Sequence, residues 1–272
     1  MATSQSTTSA GIRTWLAGAA APVGLGVILL VIWQASVTYY AVPHYVLPSP
    51  VRIAKALAED WATLGLSLLS TLRVTFVALF LAVTLGVMLA ILLTQWRWLE
   101  RSLLPYAVVL QVTPIVSLAP LIIIWVGDIH VALLICAWLV AFFPILSNTI
   151  LGLNSADHNL VDLFEVYGAT RWQKLVLLRL PASMPYFLGG LKISGGLALI
   201  GAVVAEFVAG TGGSGSGLAF RILESGYQLR IPRMFAALIL ISITGIAIYL
   251  VTNWISWLIL HRWHESALKR EV

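Results

Sequence analysis

Six stretches of this chain run long enough with almost no charge to cross a membrane, and that feature limits its fold more than any other. A helix covers about 30 Å of hydrocarbon with about 20 mostly apolar residues, and it satisfies every backbone N–H and C=O internally. The expected spans are about 18–40, 73–95, 103–126, 131–153, 185–209 and 235–260. The fourth carries His130 at its edge, and the fifth is interrupted only by Lys192. A membrane β-barrel needs alternating segments of about ten residues, which the sequence lacks. The expected class is therefore an all-α integral membrane fold with six transmembrane helices, which excludes an ordinary soluble enzyme.

Composition agrees. At 60% hydrophobic and 10% charged residues the chain departs far from soluble domains, which run at about 45–50% apolar and about 25% charged. A removable signal peptide is not expected, because the small residues Ala19 to Ala21 precede the apolar run instead of following it. The single cysteine, Cys136, falls within the fourth span and excludes an intrachain disulfide. Lys and Arg are retained on the cytoplasmic side of short loops. With both termini inside, nine basic residues (Arg13, Arg97, Arg101, Arg171, Lys174, Arg179, Arg262, Lys269 and Arg270) lie on that side, against five outside. Net charge of +5 then reflects topology and not nucleic-acid binding.

The Ser/Thr-rich start (1–16) reads as a disordered cytoplasmic tail and 17–272 as one transmembrane domain. Pro43, Pro48 and Pro50 forbid the first span's helix from continuing. From about Val51 to Leu64, the placement of Ile53, Leu57 and Trp61 predicts a short amphipathic surface helix. Trp and Tyr gather near span ends, at Tyr39, Tyr40, Trp96, Trp98, Trp254, Trp257 and Trp263, as interfacial belts require. The run from Gly210 to Gly217 is rich in glycine, but no lysine follows it, so it is not a phosphate-binding P-loop. It reads as a flexible connection before a short surface helix near Leu218 to Tyr227.

The connection between the fourth and fifth spans, from Asn159 to Pro181, has helical periodicity but is too short and too charged to span. Gly168 suits the left-handed residue that ends a helix, and Thr170 to Gln173 fits the capping box that opens another. Pro181 is expected to stop that second helix. Leu160, Leu163, Phe164 and Tyr167 recur at three- and four-residue steps, giving the first helix an apolar ridge. Such a ridge seats either in a partner's groove or against the chain's own spans and lipid headgroups.

The spacing of this segment resembles the cytoplasmic-loop signature of permeases in bacterial ATP-binding-cassette importers: E-A-A, three residues, G, nine residues, I-x-L-P. Asp162, Leu163 and Phe164 stand at the E-A-A positions, Gly168 at the glycine, Leu178 at the isoleucine, and Leu180 with Pro181 at the terminal pair. Leu47 to Pro50, Pro114 to Pro120 and Ala205 to Phe207 are similar to the nitrate/sulfonate/taurine branch, which also includes permeases for pyrimidine vitamin precursors. Leu110 to Pro114 lean toward the vitamin-precursor or heterocycle members. The resemblance implies a type I importer in the bacterial inner membrane. Two permease copies, two ATPase subunits carrying ATP and Mg, and a periplasmic or lipid-anchored binding protein would pass a small polar nutrient inward by alternating access. It implies that the ATPase docks on Asp162, Leu163, Phe164, Tyr167, Gly168, Ala169, Leu178, Leu180 and Pro181.

Polar and small residues inside spans are candidates for the translocation path. In the third and fourth spans these are Gln111, Thr113 and Ser117, among Pro105, Pro114 and Pro120, and Asn148 after Pro144. Prolines there either expose backbone to a pathway or simply shape packing. In the fifth span Ser194, Ala198 and Ala202 form a stripe at four-residue steps, which lines a dimer pathway or packs within one subunit. Glu206 lies about 32 Å along the helix from Pro185, which places it at the outer mouth as a gate, a docking point or a solvated side chain. Lys192 is expected to snorkel to the headgroups. His44, His130, His158, His261 and His264 lie in loops or at span ends, without metal-ligand spacing. No catalytic or metal-ligating residue is assigned. A self-sufficient secondary transporter or channel is the other reading, and it lacks midplane ionisable residues and repeats.

Overall fold

The computed structural model describes residues 24–210, 212–213 and 215–261 of the 272-residue chain. The expected disordered tail, the start of the first span, and His264 lie outside them. Among the described residues every regular element is helical: α1 (Gly24–Tyr39), α2 (Pro50–Glu59), α3 (Trp61–Gln95), α4 (Arg97–Val112), α5 (Ile115–Val126), α6 (Ile129–Leu153), α7 (His158–Val166), α8 (Arg171–Lys174), a π-helical turn (Leu175–Arg179), α9 (Leu180–Ala209), α10 (Leu218–Tyr227) and α11 (Ile231–Leu260). Four helices among the described residues are long and apolar enough to span: α3, α8 running into α9, α6, and α11.

Two expectations are corrected. The third span is not one helix: α4 and α5 meet at a 99° bend and count as a fifth span only as a pair. Pro114 is the cause. It has no N–H to donate, and it forces Thr113 before it into an extended conformation (ψ 124°), so α4 stops at Val112. The surface helix expected over 51–64 ends at Glu59, and the 35-residue α3 begins at Trp61, well before the expected start of the second span. Leu64 is fully buried there instead of lying on a surface. Pro50 at the first turn of α2 explains its start, because the proline's missing N–H is unpaired at that position anyway.

The chain divides into two units, Met1–Trp61 with Glu224–Ala236, and Ala62–Leu223 with Ala237–Val272. In the first, most of α1 is exposed as a lipid-facing helix should be, and Val37 is its buried residue. Trp33 meets Phe235 with ring centroids 6.3 Å apart. In the second, α6 packs along α9, and the core is alanine- and leucine-rich, with Ala82, Ala90, Leu93, Ala141, Leu153 and Ala198 buried together. Without a hydrophobic drive between helices in lipid, close backbone approach supplies the attraction. The backbones come close at Gly201, where a Cβ would lie 2.9 Å from the Ala137 Cα.

Candidate functional site

The segment after α6 is built from paired caps. The Asp157 side chain accepts from the Asn159 N–H at 2.8 Å to open α7. At the other end Gly168 takes φ +68°, with Gly168 N–H donating to Glu165 O and Ala169 N–H to Phe164 O, each at 2.9 Å. Those two bonds are a Schellman motif, which satisfies carbonyls that a helix end leaves open. Thr170 then opens α8 with a complete capping box: Gln173 N–H donates to its Oγ1 at 3.2 Å, and its own N–H donates to Gln173 Oε1 at 2.8 Å. Lys174 Nζ, 2.7 Å from Glu165 Oε1, ties the two helices across the turn. That hydrogen bond and the ammonium's charge hold the Glu165 carboxyl below its usual range.

Pro181 does not stop the second helix, contrary to the sequence expectation. The helix passes through the π turn, where Leu180 N–H reaches back to Leu175 O, and continues as α9. Proline lacks the donor that Leu177 O would take and crowds that carbonyl, and a widened π turn relieves the crowding. The α7–α8 turn is thus joined through continuous helix to the fifth span.

The turn leaves apolar side chains in the open. Leu160, Leu163, Trp172 and Leu177 are exposed, and Val166 and Tyr167 are 84% and 82% exposed. Leu163, Phe164, Tyr167, Gly168, Ala169 and Leu177 border a concavity of about 390 Å³. Of the residues expected at a docking surface, Asp162, Leu163, Tyr167 and Gly168 are exposed and Phe164 and Ala169 half-buried. Leu178, Leu180 and Pro181 are half-buried in the continuous helix, with Leu180 packed on the α6 core.

The in-span candidates do not gather in one place. Gln111 and Thr113, at the α4–α5 break, border a cavity of about 300 Å³ with Val140 and Pro144 of α6 and Leu197 of α9. Pro144 supplies no N–H to the Val140 carbonyl, so the cavity is edged by backbone that both prolines release. Ser117 is exposed on α5, and Asn148 donates to Pro144 O of its own helix at 2.8 Å. Ser194, Ala198 and Ala202 are fully buried, and the Ser194 hydroxyl donates to Ala141 O at 2.7 Å, within the seam between α6 and α9.

Glu206 is not a solvated side chain. It is 4% exposed. Thr71 Oγ1 donates to its Oε1 at 2.8 Å, Ala219 N–H donates to its Oε2 at 3.1 Å, and Leu218 N–H donates to Thr71 Oγ1 at 2.9 Å. The carboxylate therefore fastens the end of α9 to the start of α10 and to α3, and Gly217 is pressed so closely against it that a side chain there has no room. Its charge is easily found in the sequence, but its partner Thr71 is not. The signal for Thr71 was the small and hydroxyl-bearing row Ser67, Thr71, Thr75, Ala78 and Ala82 at helical steps, all of them buried. Lys192 is half-buried in α9.

The geometry is that of a multi-pass helical membrane protein with a short capped turn between two spans, and comparison with known proteins places it among transport subunits. Residues 82–263 match the binding-protein-dependent transport system inner membrane component family, and the chain belongs to that family. It is 34% identical over 244 residues to the riboflavin transport system permease protein of Chloroflexus aurantiacus, covering 88% of each chain. It is also 34% identical over 220 residues to the formylaminopyrimidine transport permease protein of Halalkalibacterium halodurans, covering 80% of this chain and 86% of that one. The fold is similar to a crystal structure of an amino acid ABC transporter with histidines, with TM-score 0.60 and 17% identity over 76% of this chain and 96% of the other.

Proposed function

We propose that the chain is the membrane-spanning subunit of an ATP-driven importer, in which ATP hydrolysis resides in separate subunits that dock on the α7–α8 turn. The observation that carries this reading is an exposed apolar turn, locked by a Schellman motif and a capping box, joined by continuous helix to a spanning segment. An unpartnered ridge carrying Tyr167 and Val166 calls for a groove on another protein. ATP and Mg belong to the partner subunits. Closure of their dimer would push on α7 and α8, and α9 would carry that push into the bilayer, biasing the chain between outward- and inward-facing states. Two copies of the chain would enclose the path, with both termini cytoplasmic and a binding protein delivering substrate from the other side.

The cargo in this reading is a small polar nutrient, either a sulfonate- or nitrate-like anion or a pyrimidine or other heterocyclic vitamin precursor. The names of the two 34% identical relatives support the heterocyclic class. The cavity at the α4–α5 break, with Gln111 and Thr113, is the proposed point of passage. Reconstitution in liposomes with the cognate ATPase and binding protein tests the proposal: uptake is expected only with ATP and both partners. Uptake by the purified chain alone overturns it.

A further inference from the structure

A second polar cavity, of about 340 Å³, lies where α3 and α6 end and α4 begins, beside α7. Thr94 near the end of α3, Arg101 in α4, Asn154 capping α6, His158 in α7 and Arg179 of the π turn border it. Neither Arg101 nor Arg179 has a carboxylate within ion-pair distance among the described residues. Glu100 also borders the cavity, but its Oε1 accepts from Asn154 Nδ2 at 3.2 Å. Thr94 Oγ1 donates to Ala90 O and Ile91 O of its own helix. Two arginines and a histidine thus border a space whose one lining carboxylate, Glu100, is held by the Asn154 amide, while the charge of Arg179 also helps hold the Glu165 carboxyl low.

From the pairing of Arg101 and Arg179 at this one cavity, we propose that it binds a phosphate group, supplied by the headgroup of an anionic phospholipid. Guanidinium matches phosphate oxygens with paired N–H donors, which an ammonium does not. The depth is right: α3 and α4 meet here, and Trp96 and Trp98 at their junction are exposed, as aromatic residues of the interfacial layer are. Basic pockets between spanning helices at that level take acidic headgroups. Because His158 and Val161 of α7 also border the cavity, a bound headgroup steadies α7 from behind. The inference needs only a membrane-spanning chain and stands apart from the ATPase proposal.

The full-length chain in phosphatidylcholine nanodiscs, without and with phosphatidylglycerol, or with inorganic phosphate added, tests this by lipid retention in native mass spectrometry and by thermal shift. Phosphatidylglycerol is expected to be retained and stabilising. Arg101→Gln combined with Arg179→Gln should weaken retention about tenfold, the equivalent of one charge-assisted hydrogen bond, whereas Arg171→Gln on the exposed turn should not. A response to phosphatidylglycerol alone identifies the lipid as the source. A response to inorganic phosphate as well, lost in the double variant, supports a site for the phosphate group from either source. Equal retention by wild type and double variant overturns the site. So does the absence of phosphatidylglycerol-dependent amide protection over 154–161 in the wild-type chain, a measurement that needs no variant to fold.

Discussion

Gly168 holds φ at +68°, a conformation in which an L side chain meets the following carbonyl at a cost of about 1–2 kcal/mol. A Cβ there meets nothing within 4 Å, so the demand is conformational and not spatial. Gly168→Leu is therefore expected to disturb the turn and abolish ATPase stimulation while membrane insertion stays normal. Gly168→Asn, which tolerates the left-handed region, should keep most of it. Normal transport by the leucine variant would remove the turn from the mechanism. Glu165 offers a pH test. Its folded-state carboxyl is held low by the Lys174 hydrogen bond and charge, so its contribution is complete above the unfolded value of about 4.3 and is lost as pH falls through the lower folded value. Relative to Glu165→Gln, the wild-type turn should resist pepsin at mildly acidic pH and lose that advantage only below that range. A constant ratio of cleavage rates across pH would show that the clamp does not form.

At the scale of elements, helix–helix contact rests on which glycines face a backbone. Gly201 and Gly196 both lie in α9, yet a Cβ on the first meets the Ala137 Cα at 2.9 Å and on the second meets nothing within 4 Å. Gly201→Ala is expected to destabilise the chain by about 1–3 kcal/mol through overpacking, and Gly196→Ala to be neutral, as read by thermal unfolding in detergent. Equal melting temperatures would mean that the seam between α6 and α9 yields easily. This contrast also marks what the sequence could reveal. Apolar length, the left-handed Gly168 and the capping box at Thr170 are local properties, written in consecutive residues. Whether Ser194, Ala198 and Ala202 face a neighbouring helix or a pathway depends on which face another helix covers, and small residues look the same in both roles. The bend at Pro114 and the helix running on past Pro181 show the same limit. Proline removes the same hydrogen bond at both, but the chain breaks at one and widens into a π turn at the other. Glu206 was visible as a charge near a span end, while its hydrogen bonds come from Thr71, 135 residues away, and from Ala219, beyond the glycine-rich run.

For the whole molecule, the question is whether the exposed turn is covered once the transporter assembles. The single cysteine makes this measurable, because Cys136 is fully buried and should be inert to a polar maleimide. Tyr167→Cys places a thiol where the side chain is 82% exposed, so the reagent should label that position rapidly in the isolated chain. Adding the cognate ATPase subunits should suppress labelling, because a docked α7 buries its ridge. A thiol introduced at Trp172, 70% exposed on the neighbouring helix, should report protection in the same way if α8 enters the interface with α7. Nucleotide should then change the degree of protection, since a turn continuous with α9 can only drive the bilayer segment by moving with its partner. Labelling that stays equally fast with ATPase present, whether or not nucleotide is added, would leave the ridge as a surface facing lipid headgroups. The drive for transport would then have to enter the chain elsewhere.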